Sequence, residues 1–182
     1  GLIVLSPMFL IIFILIKLES KGPALFKQKR FGLHKKPFDI IKFRTMYVNS
    51  PQDMPSYLFT DHEKYITKVG RFLRKTSLDE LPQIINIFVG QMSIVGPRPV
   101  VLKEEELIRE RDKYKANDIR PGLTGWAQIN GRDQLLVEDK AKYDGEYVYY
   151  MSFLFDLKCF VTTIVKVIKR EGIVEGTFSI NI

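Results

Sequence analysis

The stretch Thr76-Ser77-Leu78-Asp79-Glu80-Leu81-Pro82-Gln83 places two adjacent carboxylates at the start of an apolar helical run, Ile84 to Val89. A little further on, Gly96-Pro97-Arg98-Pro99 offers an arginine clamped between two prolines. How the first segment is read decides where a helix starts and what its acids are for. Ser77-Leu78-Asp79-Glu80 fits the S-x-x-E capping box, in which the acid merely satisfies a helix start, and caps far outnumber active sites. Pro82 weighs against that reading. With Ser77 as the cap, it would stand at the fifth helical position, where it removes a backbone donor and crowds the carbonyl four residues back; proline belongs at the first position. Either the first turn is distorted, or the helix starts at Pro82 with Asp79 and Glu80 just ahead of it. Both place the carboxylates near the positive end of a helix, where anionic phosphate also collects. Carboxylates there can hold a divalent cation or attack phosphorus, and an arginine opposite them can bind phosphate oxygens.

The 182 residues suffice for one domain with a real core. Lys and Arg number 28 against 21 Asp and Glu, a net charge of +7. That balance points to a negatively charged partner: nucleic acid, an anionic membrane surface or nucleotide phosphates. The single cysteine, Cys159, excludes an internal disulfide and suits a reducing compartment. His34 and His62, far apart and without a cysteine cluster, argue against a zinc site.

Gly1 to Ile16 is apolar except for Ser6, and the run ends at Lys17-Leu18-Glu19-Ser20-Lys21. As a helix it would reach roughly 24 Å, short of the ~30 Å hydrocarbon core. The chain opens on Gly1 in mid-run without an initiator Met, so it is expected to be a fragment. An upstream piece could complete a spanning helix. Against this stands Ser6-Pro7: proline breaks a helical hydrogen bond and kinks the chain, and a serine beside it can re-satisfy freed backbone groups. A kinked helix could enter and leave on the same face, so spanning and re-entrant readings stay open on the residues alone. No small-residue cleavage pattern comes after it, which argues against a signal peptide.

Lys27, Lys29, Arg30, Lys35, Lys36, Lys42 and Arg44 come close behind and predict the cytoplasmic side of a membrane. The stretches around Phe26 and over Phe38 to Arg44 predict short strands, with Gly32 to Pro37 as the turn between them. Period-2 alternation would put Lys42 and Arg44 on one face and Ile41 and Phe43 on the other. Two such cations could line a phosphate pocket or could simply be exposed. Asn49 to Pro55 is a polar loop without readable chemistry.

Lys64 to Lys75 predicts a basic helix with Val69, Phe72 and Leu73 as its apolar side, bringing Arg71 and Arg74 close to the acidic pair. Lys103 to Ala116 predicts a charged helix with a Glu105/Arg109 pair at i,i+4, an exposed strut. Asp118 to Arg132 holds three glycines, Pro121 and an Asn130-Gly131 turn signal, an irregular segment of close backbone approach. Flanked by Arg120 and Arg132, it suits either a polar ligand or a plain connection. Asp156 can cap a helix in which Leu157, Phe160, Val161, Ile164, Val165, Val167 and Ile168 form an apolar stripe opposite Lys158, Lys166, Lys169 and Arg170. Core packing explains such a stripe. Tyr147, Tyr149 and Tyr150 just before it, together with the N-terminal apolar run, favour a helix lying in the bilayer interface.

Four segments occur in a specific order: Lys42-Phe43-Arg44-Thr45-Met46, Ser77 to Gln83, Met92-Ser93-Ile94-Val95-Gly96-Pro97-Arg98-Pro99, and Arg120-Pro121-Gly122-Leu123-Thr124-Gly125. Together they closely resemble the bacterial sugar transferase family, the monotopic phosphoglycosyl transferases, from Ser6-Pro7 to Arg170. The resemblance implies an α+β fold: a re-entrant membrane helix over residues 1–20, bent at Ser6-Pro7, and a mainly helical catalytic domain over 21–182 with short strands and interfacial amphipathic helices. It implies a place on the cytoplasmic face of the bacterial inner membrane. The implied reaction moves a phospho-sugar from a UDP-sugar to a polyprenyl (undecaprenyl) phosphate and releases UMP, the first membrane step of a bacterial polysaccharide or glycoconjugate pathway. By the same likeness Asp79 would be the nucleophile, Glu80 would stand beside it, and Mg²⁺ would bind the pair. Arg98 and Lys42 would contact phosphate, and the Arg120 to Arg132 loop would help hold the nucleotide; from their places in the sequence, Arg44 and Arg74 are further candidate substrate contacts.

A membrane-tethered basic adaptor for anionic lipid or nucleic acid would explain the charge and both amphipathic ends, but not Asp79-Glu80 or Gly96 to Pro99. Nucleic acid is not expected as a partner, since no recognised motif is present and aromatics do not interleave with the basic run. An inactive scaffold is opposed by the intact acidic pair and Arg98. The identity of the sugar is not legible in any residue.

Overall fold

The computed structural model describes residues 1–50, 62–131 and 134–169. Pro51 to Pro55 of the polar loop, Arg132 and Arg170 lie outside the described residues. The chain divides into two compact units, and the division falls between Leu81 and Pro82. The first unit joins Gly1–Phe26 to Lys42–Leu81; the second joins Lys27–Ile41 to the segment that begins at Pro82. The mixed α+β class expected from the sequence is what the elements form, in order one helix, two strands, two helices, a strand, a helix, a strand and three helices.

In the first unit, α1 (Leu2–Glu19) lays one stripe on the core and leaves the others uncovered. Ile12 and Ile16 pack with Ala24, Phe43 and Leu73, and Met8, Phe9, Val69, Leu78 and Leu81 close around them. The helix runs continuously through Pro7. Proline cannot donate to the carbonyl four residues back, and that carbonyl, Ile3 O, instead accepts from the Ser6 hydroxyl at 2.8 Å. The serine does what the Ser6-Pro7 pair suggested. Among the described residues no helix is long and apolar enough to cross a membrane.

The basic helix expected over Lys64 to Lys75 is α2, Lys68–Lys75, preceded by a single 3₁₀ turn at His62–Tyr65. Its start is well satisfied: Thr67 Oγ1 accepts from Gly70 N at 2.9 Å, and the Glu19 carboxylate accepts from Lys68 N and Val69 N. Leu73 and Val69 face the core as expected, but Phe72 points to solvent. Gly70 lies directly on the Thr45 backbone, so close that a Cβ there would overlap it.

Strands β1 (Leu25–Phe31) and β2 (Pro37–Phe43) pair in a two-stranded sheet, joined by a short connection with a 3₁₀ turn at Leu33–Lys35. A link this short permits only antiparallel pairing, since a parallel pair needs a crossover of about a dozen residues. β2 stops at Phe43, so Arg44 lies just beyond the strand expected to carry it.

In the second unit, β3 (Ser93–Val95) pairs in parallel with β4 (Gly122–Thr124), Ser93 opposite Gly122 and Val95 opposite Thr124. Helices α3 (Gln83–Phe88), α4 (Glu105–Asp112), α5 (Trp126–Ile129), α6 (Val137–Tyr150) and α7 (Phe153–Lys169) complete it. Asn86 fastens α3 to β2: its amide donates to Asp39 O and Gln91 Oε1, and its Oδ1 accepts from Ile41 N. Val95, Ile129, Tyr147 and Cys159 form one core cluster; Val100, Leu107 and Ala141 form another.

Two expectations need correction here. The helix after Pro99 is no exposed strut. Its Leu107 is buried against Val100 and Ala141, and its Arg111 is buried against α6. The last helix begins at Phe153 rather than at Asp156; Ser152 Oγ accepts from Phe155 N, while Asp156, inside the first turn, accepts from the Tyr147 hydroxyl.

Candidate active site

Pro82 decides the acidic segment as the sequence argument required. It takes the N-cap position of α3, which begins at Gln83, so Asp79 and Glu80 fall in a separate 3₁₀ turn, Leu78–Glu80, just ahead of the helix. The capping box is absent. Ser77 adopts a left-handed conformation (φ 55°) and makes no side-chain cap, and its own N–H donates to Arg74 O at 3.1 Å. A left-handed non-glycine residue costs of order 1–3 kcal/mol and tends to mark functional turns. Here it turns the chain sharply from the end of α2 into the acidic pair.

With no cap to make, Glu80 is committed elsewhere. Its Oε1 accepts from Lys42 Nζ at 2.8 Å, with the two side chains only 12% and 17% exposed. Asp79 beside it is less buried. The two carboxylates thus differ in environment: one buried in an ion pair, the other nearer solvent. The Lys42 ammonium offsets negative charge at the turn.

Arg74 and Arg44, both expected as substrate contacts, lie in the same unit. Arg74 Nε donates to Thr45 Oγ1 at 2.9 Å. Arg44 is buried, and its guanidinium donates to Lys21 O at 2.7 Å and to Ser20 O and Oγ at 2.9 and 3.0 Å. Those are the carbonyls at the C-terminal end of α1, which a cation satisfies well. This geometry fastens Arg44 to the end of α1.

The second unit holds Arg98, on the loop that leaves β3. Gly96 at its base meets the backbones of Arg120 and Gly122, and Gly125 meets Gly96, so closely that a side chain on any of these glycines would overlap the chain opposite. The close backbone approach expected of the 118–132 segment is therefore real at Gly122 and Gly125. Arg98 lines a cavity of about 90 Å³ together with Arg30, Arg111, Gln128 and Lys140. Arg120 is exposed, its Nε donating to Gly90 O at 3.0 Å.

Sequence reading missed Arg111, Asp144 and Arg30 as parts of this region. The signal was present in the spacing: Leu107 and Arg111 stand at i,i+4, and Ala141 and Asp144 at i,i+3, so each charge shares the apolar stripe of its helix. Arg111 and Asp144 meet at 2.6 Å with side chains 5% and 1% exposed.

The first unit thus holds an acidic turn with a buried lysine, and the second a glycine-walled loop that carries an arginine. The model of the family described as "Bacterial sugar transferase" matches residues 1–170, and the chain belongs to that family. It is 44% identical over 158 residues to the "Uncharacterized sugar transferase EpsL" of Bacillus subtilis, covering 87% of this chain and 76% of that protein. Over 172 residues it is 41% identical to the "UDP-glucose:undecaprenyl-phosphate glucose-1-phosphate transferase" of Escherichia coli, covering 91% of this chain but 37% of that one. The "Exopolysaccharide production protein ExoY" of Sinorhizobium fredii is 38% identical over 186 residues, with 94% and 82% covered. The chain therefore spans most of two of these relatives and little more than a third of the other.

Proposed function

We propose that the chain transfers a sugar-1-phosphate from a UDP-sugar to undecaprenyl phosphate, releasing UMP, at the cytoplasmic face of a bacterial inner membrane. The names of its relatives support the reaction class. The observation that carries the assignment to residues is the asymmetric acidic turn, with Glu80 ion-paired to Lys42 and Asp79 beside it, less buried.

Asp79 is the nucleophile in this reading. A carboxylate oxygen attacks the β-phosphorus of the UDP-sugar, the bond to the α-phosphate oxygen breaks, and UMP departs with that electron pair. The aspartyl phosphosugar is then attacked by an oxygen of undecaprenyl phosphate, which frees the Asp79 carboxylate and forms the diphosphate-linked product. Dividing the transfer in two means that donor and acceptor never need to be bound together. Lys42 holds Glu80 and offsets charge at the turn, and Arg98 binds phosphate oxygens.

The acidic turn offers Mg²⁺ two carboxylates, of which Glu80 already accepts from Lys42 through Oε1. Among the described residues no group of three or more His, Cys, Asp or Glu could cage a metal, but Mg²⁺ is commonly held by one or two carboxylates together with substrate phosphates and water. Asp79 and Glu80 would hold it, and it would supply charge neutralisation for the reacting phosphates. The uncovered apolar stripes of α1 support membrane embedding, with the helix re-entrant at Ser6-Pro7.

The test uses UDP-glucose labelled in its β-phosphate. Wild-type protein releases one equivalent of UMP without acceptor and retains label; Asp79→Asn loses turnover by at least about 10³-fold and retains none. Label persisting on Asp79→Asn would sink the assignment, and strict dependence of UMP release on undecaprenyl phosphate would replace two displacements by direct transfer. Chelation should stop release and added Mg²⁺ restore it.

A further inference from the structure

The loop that carries Arg98 cannot be held by its own amides at two positions, because Pro97 and Pro99 have no N–H. It is held instead by its carbonyls, four in succession. Pro97 O accepts from Gly122 N at 2.9 Å, and Val100 O accepts from Phe31 N at 3.0 Å. Between them, two guanidinium groups do the same work. Arg98 O accepts from Arg111 Nη1 at 2.9 Å, and Pro99 O accepts from Arg30 Nη1 at 3.1 Å. Both prolines fix φ, so once these carbonyls are anchored the Arg98 side chain leaves from a backbone with little freedom.

Arg111 is itself held from behind. Its Nε and Nη2 donate to Asp144 Oδ2 at 2.7 and 2.6 Å, so α6 aims a guanidinium on α4 at one carbonyl of the loop. For stability alone this is a poor arrangement. A buried ion pair roughly breaks even against hydrophobic residues of the same volume, and Asp144 Oδ1 is left buried without a hydrogen-bond partner. A charge pair buried at such a cost, with Nη1 directed at the loop that carries Arg98, has a use in fixing that loop.

We infer that Arg111, oriented by Asp144 and assisted by Arg30, is a positioning residue for Arg98: it anchors the Arg98 carbonyl so that the side chain meets the donor's phosphate without reorganisation. The inference rests on the proposed sugar-phosphate transfer for its functional meaning and on the carbonyl anchoring for its structural one. Misplacing a phosphate-binding group by about 1 Å can cost on the order of a hundredfold in rate, so Arg111→Lys, which keeps the charge but loses the planar fork, is expected to slow UMP release from UDP-glucose roughly ten- to hundredfold.

Two measurements separate this from a general loss of fold. In the double variant Arg111→Met/Asp144→Leu the pair is replaced by apolar groups of similar size, which retains the melting temperature within a few degrees while UMP release falls as in Arg111→Lys. Combined with Arg98→Lys, Arg111→Lys costs no more than about twofold further, because the two act through one group; full additivity would overturn the inference, as would an unchanged rate in Arg111→Lys. Hydrogen exchange over residues 93–101 reads the anchoring without any substrate. Protection there should drop in Arg111→Lys and in the double variant while other segments keep theirs. If the wild-type protein releases no UMP from any UDP-sugar, the proposed activity fails, and exchange alone then decides: unchanged protection at 93–101 would overturn the anchoring too.

Discussion

The Lys42–Glu80 contact stands beside Asp79, the proposed nucleophile. Breaking a buried pair by removing one partner typically costs about 3–5 kcal/mol, so Lys42→Met should lower the melting temperature and also abolish turnover. Lys42→Met/Glu80→Gln removes both charges and should recover most of the stability without recovering UMP release. Recovery of activity along with stability would reduce the pair to a structural contact. A second residue-scale prediction concerns alkaline pH. Burial, with Asp156 adding repulsion, pushes the Cys159 thiol from 9.0 up to about 11. Burial and its hydrogen bond to Asp156 also raise the Tyr147 phenol well above its usual value. The folded state then holds these protons more tightly than the unfolded chain. The contribution of Cys159 is complete below pH 9 and is lost as pH climbs through about 11, while that of Tyr147 persists to higher pH. Melting temperatures measured from pH 7 to 11 should fall above 9, and Cys159 should resist alkylation in native protein at pH 8 while reacting once unfolded. Ready native alkylation would contradict its burial.

At the scale of elements, Gly70 shows how tightly α2 is seated. Gly70→Ala drives a Cβ into the Thr45 backbone, which has no flexible side chain to move aside. The expected cost is about 1–3 kcal/mol, read by denaturant unfolding; a neutral result would mean that α2 can lift away freely. Local chemistry made much of this level legible from sequence. Pro82 located the start of α3, Gly32 to Pro37 marked the turn between β1 and β2, and Ser6 beside Pro7 announced the hydroxyl that satisfies Ile3 O. Each depends on neighbours in the chain. What sequence did not yield depends on which faces meet. Arg44 looked like a strand-face cation because nothing local says that the carbonyls of Ser20 and Lys21 end beside it. Arg111 looked like part of a solvated helix because its partner stands on α6, 33 residues away. Of the candidate site, the acidic turn with Lys42 and the Arg98 loop could be picked out, while Arg111 and Asp144 behind that loop could not.

On the scale of the whole molecule, the question is what covers the apolar surface that each unit leaves open. In the first unit α1 exposes Ile3, Val4, Leu10 and Leu18. In the second, α7 exposes Phe153, Leu154 and Ile168, with Tyr149, Tyr150 and Met151 just before it. Surfaces of this kind on helices that also carry lysines suit a bilayer, where apolar burial and attraction to anionic headgroups act together. The two contributions respond differently to salt. At about 1 M salt the screening length falls to about 3 Å, which removes most of the pull that the net charge of +7 exerts on anionic lipid, whereas apolar burial is not weakened. Binding to vesicles containing anionic lipid should therefore drop between low and high salt yet persist at the end of the titration. Leu154→Glu/Ile168→Glu, two changes on an exposed face, should leave the melting temperature in place and weaken the salt-resistant fraction. Complete release by salt alone would show that charge carries the attachment; a basic adaptor would then account for the membrane behaviour as well as a transferase whose lipid substrate cannot leave the bilayer.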